Sequence, residues 1–98
     1  MTIAKVEGQF TANGNSDAVA IDGRANLTVS GTFTATLTLQ RSFDDGVTWH
    51  TVAKDADGNP AAYTASVSLT FEEPEAGVTY RLNCSGFSAG PVNFRISQ

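Results

Sequence analysis

"GTFTATLTLQR", residues 31–41, decides the fold. Phe33, Ala35, Leu37 and Leu39 alternate with Thr34, Thr36, Thr38 and Gln40, a period of two that a helix cannot place on one face. In an extended strand the apolar set turns toward a core and the hydroxyl-bearing set away from it. "AYTASVSLTF" (residues 62–71) repeats the design, with Tyr63, Ala65, Val67, Leu69 and Phe71 inward. "GVTYRLNC" (77–84) and "PVNFRISQ" (91–98) follow suit, placing Val78, Tyr80, Leu82 and Cys84 on one buried side and Val92, Phe94 and Ile96 on another.

Turn chemistry falls between these runs. Asn13-Gly14 predicts a hairpin joining a strand near residues 3–11 to one near 17–22. Asp22-Gly23 predicts a break before "ANLTVSG", and Asp44-Asp45-Gly46 a tight hairpin into "VTWHTVA". "DADGNP" (55–60) and "EEPEAG" (72–77) supply two further connections, with Pro74 and Gly77 as breakers. The expected architecture is all-β: one antiparallel β-sandwich domain, residues 1–98, immunoglobulin-like or fibronectin III-like, with about eight short strands.

Composition narrows the function classes. A chain of 98 residues carrying a net charge of −4 has no basic stripe to track a phosphate backbone, so nucleic acid is not an expected partner. No run approaches the length of a membrane span, and "MTIAKVEGQF" lacks the basic-then-apolar pattern of a signal peptide. The lone Cys84 excludes an intrachain disulfide and fits a reducing compartment. Its place in an alternating strand predicts a buried, inert thiol.

Each candidate site has a folding role available. Within "RSFDDGVTW" (41–49), Asp44 can accept backbone N–H bonds across the turn and Gly46 can supply a positive φ. Ser42 and Thr48 can add hydroxyl bonds, and Trp49 can pack its indole under the loop. "DADGN" offers Asp55, Asp57 and Asn59 as calcium-loop ligands, but Pro60 stands where glycine is required and Ser66 where a bidentate glutamate is needed. Glu72, Glu73 and Glu75 read as a solvated loop rather than an acid/base pair. His50, the only histidine, points outward with no nucleophile motif, and one histidine and one cysteine assemble no metal site. Catalysis, a metal and a cofactor are therefore not expected.

The outward surface is more informative. From Leu27 to Leu39 there is no charge, and the exposed positions are Thr and Ser. Edges and faces of isolated sheets are usually protected by Lys, Pro or bulges. Thr34, Thr36 and Thr38 are the candidate interface residues, with His50 a secondary candidate.

Three resemblances attach to these residues. Ser42 to Trp49 spell S-x-D-x-G-x-T-W, which resembles the Asp box of sialidases and related β-propellers, where the motif is a structural turn. A propeller is excluded by length, since each blade takes about 40 residues and several are needed. Sialidase chemistry would also need an arginine cluster and a Tyr nucleophile, whereas Arg24, Arg41, Arg81 and Arg95 are scattered among the strands. "EAGVTYRLNC" resembles the start of the penultimate strand in immunoglobulin-like and fibronectin type III domains. That implies a corner in which the Tyr80 hydroxyl bonds nearby backbone, although Cys84 follows it by four residues rather than two.

Taken whole, the chain is similar to small β-rich virion structural proteins of tailed bacteriophages, of the capsid decoration or accessory type. The likeness rests on "GTFTATLTLQRSFDDGVTW" (31–49) and "EEPEAGVTYRLNCSGFSAGPVNFRISQ" (72–98), nearly half the chain. It implies a virion protein assembled in the bacterial cytoplasm. Its expected partners are the major capsid protein or other virion proteins, with a homo-oligomer as a further option. The leading expectation is a decoration or cement protein of the head; the alternative is a tail or head–tail adaptor. An expectation of another class is a carbohydrate-binding module using exposed rings of Trp49, Tyr63 or Phe87 as a glycan platform.

Overall fold

The computed structural model describes residues 5–52 and 62–98. The "DADGNP" turn, with Asp55, Asp57 and Asn59, lies outside them. Eight strands follow in order: β1 (Lys5–Phe10), β2 (Gly14–Asn15), β3 (Val19–Ser30), β4 (Thr34–Ser42), β5 (His50–Thr51), β6 (Ala62–Tyr63), β7 (Val67–Ala89) and β8 (Val92–Ser97). There is no helix among the described residues. All pairings are antiparallel, as the alternation requires.

The sandwich arises because β7 belongs to both layers. Its first part, residues 67–73, pairs with β3 from Val67↔Val29 to Glu73↔Gly23. Its second part pairs with β4 from Thr79↔Ser42 to Ala89↔Thr34. One layer therefore runs β1-β8-β3-β7; in the other, the second part of β7 lies between β4 on one side and β2 with residues 19–21 of β3 on the other, and β5 and β6 lie in turn along the far side of β4. Within the sandwich class this is the strand order of a jelly roll.

Period two fixes what lies between the layers. Leu27, Val29, Leu37, Leu39, Val78, Leu82, Val92 and Ile96 are essentially solvent-free, and Phe33 packs on them half-buried. Phe10 stacks on Phe94 at 4.8 Å, and Phe71 tilts against Tyr80 at 4.9 Å. Truncating one such leucine to alanine in a core of this density costs about 3 kcal/mol.

Several local expectations are corrected. Asn13-Gly14 makes no hairpin between β1 and β3, because β1 pairs with β8 and Gly14 joins β2 beside Cys84. Asp22-Gly23 does not break the chain: β3 runs on through a register shift between Ile21 and Gly23. Nor is "EEPEAG" a connection between strands. Residues 74–77 bulge opposite Asp22 while β7 continues on either side. "AYTASVSLTF" is two strands, not one, and Ala65 at the bend between them is exposed. The Asp44-Asp45-Gly46 hairpin is wider than a tight turn, since the first pair beyond the loop is Arg41↔His50.

Candidate functional site

Two ends and one outer face hold most of the described residues singled out above. At the first end, the chain leaves β4 at Ser42 and returns at His50 around a loop built on its own side chains. The Ser42 hydroxyl is buried; it donates to Asp44 Oδ1 at 2.7 Å and accepts from the Asp44 and Gly46 N–H groups. Asp44 Oδ1 also accepts from the Thr48 N–H at 2.8 Å. These donors, the Ser42 hydroxyl first, hold the Asp44 carboxyl down at about 2 from the usual 3.8. Gly46 takes φ 90°, and Asp45 before it sits at φ 61°. The Trp49 indole N–H donates to the Gly46 carbonyl at 3.0 Å, so the ring closes the loop from below. Arg81 covers its other side, guanidinium 4.2 Å from the ring centroid, and donates to Gln40.

Directly beneath lies a group that the sequence concealed. Glu73 is 1% exposed. Its Oε1 accepts from the Tyr80 hydroxyl at 2.9 Å and from Arg41 Nη1 at 3.1 Å, and its Oε2 from the Glu75 N–H at 3.0 Å. The expected solvated loop of Glu72, Glu73 and Glu75 is thus wrong for Glu73. The Tyr80 hydroxyl goes to a carboxylate and not to nearby backbone. The reason is parity: Val67, Leu69, Phe71 and Glu73 share one face of β7, so Glu73 must enter the interior and meet partners there. Burial, followed by the bond to Glu73, pushes the Tyr80 hydroxyl up to about 12. With both carboxylate oxygens of Glu73 engaged, this cluster braces the end of the sandwich.

The opposite end gathers the loops at residues 11–13, 31–33 and 64–66 and the β7–β8 connection, and these segments carry no charged residue. The Phe87 N–H donates to Asn13 Oδ1, and the Ser66 hydroxyl donates to the Gly31 carbonyl. Gly31, at φ 113°, lies so close to Pro91 that a Cβ would stand 2.9 Å from its carbonyl oxygen. From this end the outer face of β4 extends upward. Thr34 is exposed, while Thr36 and Thr38 are half-buried beside Ser85 and Asn83, and Asn83 bonds Asn15. His50 is exposed at the far end, next to Arg41 and 6.1 Å from the Phe43 ring, and so stands apart from the three threonines.

The proposed ring platform does not assemble. Tyr63 is 8% exposed, Trp49 is roofed by Arg81, and Phe87 belongs to β7 and packs against the core. "SGFSAG" is therefore strand up to Ala89, not turn. The exposed ring is Phe43, which the sequence reading passed over; its place as an unspecified position of S-x-D-x-G was the available signal. Cys84 is buried, and that burial raises its thiol pKa. Among the described residues no three metal-ligating side chains gather, and no helix is long and apolar enough to cross a membrane.

No family model matches the chain, and no curated protein sequence matches it. Among solved structures, the chain is similar to a Yersinia pseudotuberculosis-derived mitogen at a TM-score of 0.57 and 16% identity, over 98% of this chain and 83% of that one. At that identity the likeness supports the all-β sandwich and nothing finer.

Proposed function

We propose that the protein is a structural accessory component of a tailed-phage particle, cementing the shell of the head. One observation carries this reading: among the described residues, an uncharged end of the sandwich adjoins the Thr34, Thr36 and Thr38 face. A surface of that size without Lys, Arg, Asp or Glu suits burial against another protein, because no ion has to be desolvated on docking. The likeness of residues 31–49 and 72–98 to virion structural proteins supplies the partner class, the major capsid protein.

The mechanism is binding. A rigid sandwich that engages neighbouring capsid subunits, and not the isolated subunit, stabilises the assembled shell by mass action. Thr34, Thr36 and Thr38 supply short, uncharged contacts that lose little side-chain entropy. Quantifying the protein in purified virions tests the reading. A copy number in the range of capsid subunits, retained on tail-less heads, is the expected result. A low number set by the symmetry of the tail places it at the junction instead, and absence from particles removes the proposal.

A further inference from the structure

Among the described residues the sandwich has four lateral edges, and three of them are blunted. In the second layer the edge strands β2, β5 and β6 are two residues each and β3 adds only residues 19–21 beside β2, all too short to template another strand. In the first layer the β1 edge carries Lys5 and Glu7. Edge charges of this kind are a standard defence against strand addition. The fourth edge is residues 67–73 of β7. Its described partner on one side is β3, and no described strand pairs with it on the other. Its first five residues, Val67 to Phe71, contain no charge, no Pro and no bulge.

We infer that residues 67–73 of β7 pair with the same segment of a second copy, joining the first layers of two sandwiches into one continuous antiparallel sheet about a twofold axis. Antiparallel self-pairing about residue n sets n+k opposite n−k, so inward residues meet inward residues and outward meet outward. With the axis at Leu69, half-buried Val67 lies opposite Phe71 and Ser68 lies opposite Thr70. Moving the axis to Thr70 sets Glu72 opposite Ser68 and Glu73 opposite Val67. In both registers neither glutamate faces another glutamate, so no like charges stand directly opposite across the contact. The outer neighbours are equally neutral: the Thr28 hydroxyl bonds that of Ser68 at 3.2 Å, and Asn26 stands across from Thr70. Self-pairing is favoured over an unrelated strand because the edge satisfies its own side-chain and charge requirements in register. The contact uses the edge opposite β1 and does not depend on the virion reading.

Sedimentation equilibrium of the purified chain from low micromolar to millimolar concentration tests the inference. The expected result is a monomer–dimer equilibrium. S68K/T70K places lysines face to face across the axis on exposed positions, and is expected to weaken dimerisation by roughly tenfold or more. Its thermal midpoint is expected to stay near that of the parent. Cysteines map the register, because the native Cys84 is buried: Thr70→Cys alone forms an interchain disulfide when the axis is at Thr70, the double variant Ser68→Cys/Thr70→Cys when it is at Leu69, and Glu7→Cys on β1 in neither. A chain that stays monomeric throughout overturns the inference. So does a dimer that survives S68K/T70K or cross-links through β1. The result is independent of virion copy number, so either proposal can fail while the other stands.

Discussion

At the Asp-box end the two layers are tied through Glu73, Arg41 and Tyr80, with the Ser42–Asp44 loop above them. At the opposite end the same layers meet over Gly31, Phe87 and Gly90, in segments that hold no charge. The first closure is electrostatic and depends on ionised groups; the second is steric and depends on missing side chains. One fold thus has one end closed by charged and polar side chains and another closed by close backbone approach, and the second is the one that adjoins the neutral face.

The largest test of that contrast is Glu73→Ala. It leaves the Tyr80 hydroxyl and the partly exposed Arg41 guanidinium without their acceptor, and a loss of about 3 kcal/mol is expected in urea unfolding. Glu73→Gln retains an acceptor and should fall between; equal losses for both would show that charge is irrelevant there. Next comes Gly31→Ala, which forces a Cβ at φ 113° and within 2.9 Å of a carbonyl oxygen. About 2 kcal/mol is expected, with no change between low and high salt. Ser42→Ala removes a buried hydroxyl that serves three partners, and about 1 kcal/mol should be lost, with the Trp49 emission shifting as the loop loosens. Smallest is the acid response. A carboxyl depressed from 3.8 to about 2 stabilises the loop above its ordinary value and loses that stabilisation as pH falls to the folded one. Trp49 emission should change across this window while amide signals from the Gly31 end stay fixed. A change at both ends together would erase the distinction between them.

The faces of the strands were legible, and their neighbours were not. Leu37, Leu39, Val78, Leu82, Val92 and Ile96 follow from alternation alone, because side chains on a strand have only two directions. Pairing β1 with β8 requires residues more than eighty positions apart to meet, and a local pattern holds no information on that. Glu73 was hidden for another reason. Its neighbours Glu72, Pro74 and Glu75 resemble a solvated loop, yet the period running through Leu69 and Phe71 already pointed it inward. At this position periodicity outweighs composition. The Asp-box loop was readable because its bonds are local, spanning residues 42–49; the Thr face was readable as neutral, but its place beside an uncharged end needed the topology.

The 23 residues of β7 have a consequence for how the molecule comes apart. A single backbone is stitched into both sheets, so neither can peel away while the other stays zipped. Pulled from its ends, such a molecule should yield in one rupture rather than layer by layer, which is a useful property in anything meant to resist pressure from within.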